Sequence, residues 1–243
     1  MSRSAKGVLL VVLLAAIVAC LRILSQGQEA AWAFGLSAPA ARTTFRVLVI
    51  ALGLGAWFTS QSFIAARGMR DQAIGDAVHD WTAPWHAWLQ QHRRAADALL
   101  VTSSGFIDLF GIFLLGSSLF GPSLRPGVGL LLLFAFRQVS QLTCALPTPP
   151  GMIWRRPGIP SLLVTYDVAN DFFFSGHTAI AVLGAIEVAK AAPLEIAIAA
   201  AVVAALEGLT VLILRAHYTM DVLTGAVAAF TAAGMAEAIC RGF

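Results

Sequence analysis

The sequence predicts an all-α, polytopic bundle of transmembrane helices: six core helices, with an additional apolar segment at the N-terminus. Three observations predict it. Hydrophobic residue types make up 58% of the 243 residues, and charged types only 12%, where a soluble domain carries about 25%. Mean hydropathy is +0.80, more apolar surface than one soluble core of this length can enclose. The apolar residues also fall in runs of roughly 20, the length that crosses a bilayer as a helix. In lipid such runs must be helical, because only a helix satisfies its own backbone polar groups within one segment.

Seven runs can be followed in order. Gly7–Leu24 follows the basic start Arg3 and Lys6 and reads as an anchor, a signal or a true span. With its linker it forms an N-terminal region of residues 1–44, ahead of one membrane domain over residues 45–243. Val47–Ile64 is the second run, and Leu99–Phe120, with Asp108 inside it, is the third. Gly129–Leu146 holds Arg137. Phe172–Ala189 and Leu194–Leu214 carry Glu187 and Glu207, and Val222–Ile239 is entered through His217 and Asp221.

The connections differ in kind. Pro122 and Pro126 make a tight turn, and Ala192-Pro193 makes another. The stretch Ala65–Asp97 places Trp81, Trp85 and Trp88 at helical spacing among charged residues, as in a helix lying at the membrane surface. His79, His86 and His92 in that stretch read as surface residues. Pro147–Asp171 is rich in Pro and Gly and reads as irregular.

Charge excludes one class of function. The net charge is +3, and the arginines are scattered rather than gathered in a stripe. A nucleic-acid partner is not expected. Cys20, Cys144 and Cys240 lie in or beside apolar segments without metal-ligand spacing, so they read as buried thiols. The expected partners are the bilayer and lipid substrates.

Ionisable groups inside spans are costly and point to function. Two histidine segments stand out. In Asp171-Phe-Phe-Phe-Ser175-Gly176-His177-Thr178, Asp171 can cap a helix, and Ser175-Gly176 permits close backbone approach. A helix N-terminus there favours an anion such as phosphate, with His177 one to two turns inside. The alternative is a histidine packed between helices. In His217-Tyr-Thr-Met-Asp221, spacing i, i+4 shares a helix face. Asp221 can then hold one ring nitrogen of His217 and leave the other to attack, the logic of an oriented nucleophile or base. A metal site is the rival reading, but two histidines with few neighbouring carboxylates make a poor ligand set. No metal and no cofactor are expected.

These residues resemble the sphingomyelin synthase family, a branch of the type 2 phosphatidic acid phosphatase superfamily. Ser175-Gly176-His177-Thr178 and His217-Tyr218-Thr219-Met220-Asp221-Val222 are similar to its two signatures. Arg137, ahead of Leu146-Pro-Thr-Pro-Pro-Gly151, resembles its Arg and Leu-Pro-Val-Pro-Gly segment, and Asp171 matches an acidic position. The proline segment holds one extra residue, and the loop to Asp171 is shorter. The Lys-Arg-Pro motif of typical lipid phosphatases is missing.

The resemblance implies metal-free transfer of a phosphorylated head group from a glycerophospholipid to a lipid alcohol such as ceramide. His217, oriented by Asp221, would attack phosphorus, and His177 would protonate the departing diacylglycerol and later act as base. Arg137, Asp171, Ser175 and Gly176 would contact the phosphate or head group. Arg137 reads otherwise as a structural partner of Asp108, and Arg215 as a second source of positive charge. The resemblance also implies a site on the exoplasmic face, whereas Arg67, Arg70, Arg93 and Arg94 suit a cytoplasmic loop. Two alternatives are a lipid phosphatase or phospholipase C-like hydrolase with water as acceptor, and a transporter. The chain lacks the repeated halves common in transporters.

Overall fold

Two of the described helices open on a side chain that accepts an unpaired first-turn N–H group. Asp76 opens the helix Ala77–Gln91 (α1), its Oδ1 accepting from the amides of Val78 at 2.9 Å and His79 at 3.2 Å. Arg93–Phe120 (α2) follows after one residue and stops at Gly121. Arg125–Thr143 (α3) begins with a proline in its first turn. Gly176–Ala191 (α4) is capped by Ser175. Leu194–Ile213 (α5) starts behind Pro193, and Thr219–Cys240 (α6) completes the order. The computed structural model describes residues 74–240 except 145, 159, 160, 162, 163, 165 and 167–172. No strand occurs among the described residues, so the all-α fold class is as the composition predicts.

Five of the seven apolar runs coincide with helices α2 to α6. Gly7–Leu24 and Val47–Ile64 lie outside the described residues. Helices α2, α5 and α6 are long and apolar enough to cross a membrane. At 16 residues α4 is shorter, about 24 Å at 1.5 Å per residue. It is nevertheless the central helix, packed against α2, α3, α5 and α6.

That packing uses small residues, as membrane helices do when lipid tails compete for every apolar face. A methyl at Gly184 would collide with the Phe110 ring. Phe110, Leu114, Leu133, Phe174, Leu183 and Ala232 form the shared core of α2, α3, α4 and α6. The outward faces keep Leu109, Ile112, Leu131, Val202, Leu206 and Phe230 exposed, an apolar girdle suited to lipid. The chain is an integral membrane protein.

Carboxylates tie the helices together, and those of Glu187 and Glu207 are buried. Glu187 of α4 accepts from the Arg125 guanidinium at 2.8 Å, and Lys190 reaches Glu237 at 3.0 Å. Ser103 of α2 donates to Glu207 of α5. The Arg125 and Lys190 pairs lie at the C-terminal end of α4, away from His177. Cys144 and Cys240 are free and only half-buried, not enclosed as their apolar surroundings suggest.

Candidate active site

Between α5 and α6 the chain makes a turn over residues 214–218. Arg215 has a φ of 55°, the left-handed region that costs a side-chain-bearing residue about 1–3 kcal/mol. His217 therefore lies in a turn, and the shared helix face expected for His217 and Asp221 is corrected. Asp221 is the third residue of α6, and it is fully buried. Its Oδ2 accepts from the Tyr218 amide at 2.9 Å, closing the first turn as a capping-box carboxylate does. The same oxygen lies 3.5 Å from His217 Nδ1. The pair forms because one carboxylate both starts the helix and faces the imidazole.

The second histidine segment also starts a helix. Ser175 Oγ accepts from the Thr178 amide at 3.4 Å, and the helix runs from Gly176. His177 is thus in the first turn of α4, not one to two turns inside. Asp171, expected as the cap, lies outside the described residues, and Ser175 performs that role. Arg137 of α3 donates from Nε to the Phe174 carbonyl at 3.2 Å. Its guanidinium packs on Gly176, where a Cβ would come within 3.2 Å of Nε. His177 meets the Trp154 ring edge-on at 5.1 Å and lies within electrostatic reach of His217, Arg137 and Asp108. Its Nε2 is enclosed without a hydrogen bond to a described residue.

The backbone joins the two segments. Ser175 donates its amide to the Asp221 carbonyl at 3.1 Å. Gly225 permits this approach, since a Cβ there would lie 2.7 Å from the Ser175 carbonyl oxygen. The starts of α4 and α6 therefore meet, and both bring the positive end of a helix dipole to one place. His177, His217, Asp221, Arg137, Ser175 and Gly176 converge there. Asp108 accepts from the Ser161 hydroxyl at 3.0 Å, and Ser104 and Tyr166 share a hydrogen bond beside it. Among the described residues no three His, Cys, Asp or Glu side chains gather as metal ligands. An apolar groove of about 590 Å³ between α4, α5 and α6 opens beside Thr178 and Val222, the neighbours of His177 and Asp221.

Helix α1 holds what the sequence reading missed. Trp81, Trp85 and Trp88 are exposed, as a surface helix requires, but His79 and His86 are buried at 3% and 5% exposure. The surface reading of these two is corrected: they lie on the face opposite the tryptophans and meet backbone carbonyls. His79 Nε2 is 2.9 Å from the His217 carbonyl, and His86 Nδ1 is 2.8 Å from that of Ile213. Asp76 accepts from the Thr219 amide at 2.6 Å and its hydroxyl at 2.7 Å. Arg215, a candidate phosphate ligand by sequence, donates instead to the His79 carbonyl at 3.1 Å. Alternation of Trp and His along α1 was the available signal, and it marks two faces without saying what the inner one meets.

A family model described as AtPDCT1/2, a plant phosphatidylcholine:diacylglycerol cholinephosphotransferase family, matches residues 76–238, roughly two thirds of the chain. The chain belongs to this family. No curated protein and no solved structure matches it. Membership makes the protein a membrane lipid phosphotransferase that moves head groups. It also corrects the resemblance to the sphingomyelin synthases, and with it ceramide as the acceptor. Two short histidine motifs do not encode an acceptor, whereas the description of the matched family names diacylglycerol.

Proposed function

We propose that the protein transfers phosphocholine between diacylglycerol units, with His217 as the nucleophile. The supporting observation is the His217–Asp221 pair at the start of α6, backbone-joined to the His177 helix start at Ser175. His217 Nδ1 faces the Asp221 carboxylate, which leaves Nε2 to attack phosphorus. The P–O bond to diacylglycerol breaks as His177 Nε2 delivers a proton to the departing oxygen. Phosphocholine remains on His217 through a P–N bond. A second diacylglycerol then loses its hydroxyl proton to His177 and attacks phosphorus, the P–N bond breaks, and a new phosphatidylcholine leaves.

Phosphoryl transfer depends mainly on positioning and neutralisation of charge. Arg137 supplies a fixed cation, and the first-turn amides of α4 supply donors. The groove beside Thr178 and Val222 takes an acyl chain of the substrate, which sets the glycerol oxygen at the depth of the histidines. Diacylglycerol, with one hydroxyl and two chains, fits both the apolar groove and the family match.

The test uses purified protein, phosphatidylcholine and a diacylglycerol of different acyl mass. Mass spectrometry should find the choline head group on the new diacylglycerol. Replacing that diacylglycerol with ceramide should abolish product formation. Free phosphocholine accumulating linearly, indifferent to added diacylglycerol, would mean that water is the acceptor and the proposal is wrong.

A further inference from the structure

The turn that carries His217 is held from one side by α1, and the bonds run both ways. The His79 ring binds the His217 carbonyl at 2.9 Å, while Arg215 of the turn binds the His79 carbonyl at 3.1 Å. His79 also stacks on Tyr218, with ring centroids 5.6 Å apart. Because a carbonyl only accepts, Nε2 of His79 must carry the hydrogen. Two turns along α1, His86 makes the same kind of bond to Ile213, four residues before His217. Below them, Asp76 grips Thr219, two residues after it.

We infer that His79 is a positioning residue for His217, fixing through its carbonyl where the imidazole meets phosphorus. The inference rests on His217 being the nucleophile. Three features require such a device. His217 is outside both helices, so the regular ladder does not hold its peptide. Its amide makes a long bond, 3.4 Å to the Val211 carbonyl. Two residues earlier, Arg215 keeps a left-handed backbone that needs outside support. The His79 ring acts on the peptide of His217 itself, whereas His86 and Asp76 act on the flanks of the turn. The exposed Trp81 and Trp85 on the opposite face of α1 suit the bilayer interface. The clamp therefore carries that depth to the nucleophile.

The experiment compares His79→Phe, His79→Gln and His86→Phe in choline head-group exchange. Phe fills the ring volume and removes the donor, whereas Gln keeps an N–H that can reach the carbonyl. A displacement near 1 Å costs on the order of a hundredfold in rate. His79→Phe should therefore lower kcat by about that factor while KM stays within about twofold. His79→Gln should recover most of kcat. His86→Phe, which loses a comparable buried bond, should lower the melting temperature as much as His79→Phe but keep kcat within a few-fold. Equal kcat losses in both Phe variants, or no rescue by Gln, would reduce His79 to a structural residue. A second readout is carbethoxylation of His217 by diethyl pyrocarbonate, followed by mass spectrometry. His79→Phe should change the His217 labelling rate several-fold, and His86→Phe should not. This separates the two readings. A wild-type protein without exchange activity refutes the transferase proposal, while unchanged labelling in His79→Phe refutes the positioning role.

Discussion

Ser175 donates its backbone amide to the carbonyl of Asp221 at 3.1 Å, so the starts of α4 and α6 are joined by a bond that involves neither side chain. Ser175 lies two residues before His177, and the Asp221 carboxylate faces the His217 imidazole. A backbone bond holds more rigidly than one between long side chains, and it fixes the relation of the two histidines whatever their rotamers. The close approach depends on Gly225, whose missing side chain leaves room for the Ser175 carbonyl.

Gly225→Ala should therefore disrupt the joint. Its Cβ would meet a backbone oxygen at 2.7 Å, which has no rotamer with which to yield. We expect a cost of about 1–3 kcal/mol, typical of overpacking, with a fall in head-group exchange. Gly234→Ala on the same helix meets nothing within 4 Å and should keep or raise the melting temperature in detergent. Equal melting of both variants would show that the approach of α4 to α6 does not limit stability.

His217→Ala and Asp221→Asn should abolish turnover while the protein stays folded. Removing a member of such a pair costs several kcal/mol of barrier, roughly a thousandfold or more in rate. Asp221→Asn keeps an oxygen for the Tyr218 amide, so its loss should be catalytic more than structural. More than a tenth of wild-type exchange in His217→Ala would remove it from the role of nucleophile.

Stability should fall as the medium becomes mildly acidic, in part through His86. Burial pushes its pKa below the ordinary value of about 6.5, further than its bond to the Ile213 carbonyl raises it. The unfolded chain takes up a proton near pH 6.5 that the folded chain refuses until lower pH. Unfolded protein thus binds more protons in that window, and stability declines as pH falls through it. In detergent melts from pH 7.5 to 5, His86→Gln should flatten this slope. An unaltered slope would assign the acid sensitivity to other groups.

Exchange activity should survive excess chelator, because the proposed chemistry uses imidazole and guanidinium. Loss on chelation, restored by one divalent ion, would instead place a cation in the reaction.

Much of this was legible in the chain because its signals are local. A bilayer demands apolar runs about 20 residues long and backbone bonds closed within each run, so composition and run length alone determine an all-α membrane protein. The same logic singles out His177, His217, Asp221 and Arg137, since polar groups cost too much in apolar surroundings to be incidental. Other features depend on partners distant in sequence. His79 and His86 read as surface residues on a Trp-bearing helix, and only the fold shows that their ring nitrogens meet carbonyls 138 and 127 residues away. Helix starts behave likewise: Ser175 and Asp221 supply the accepting oxygens, which places His177 in a first turn and His217 in the turn before a helix. A motif names the residue types that chemistry needs. Which peptide each one grips is decided by how α1, α4 and α6 pack, because a carbonyl carries no mark in the sequence of what will bind it.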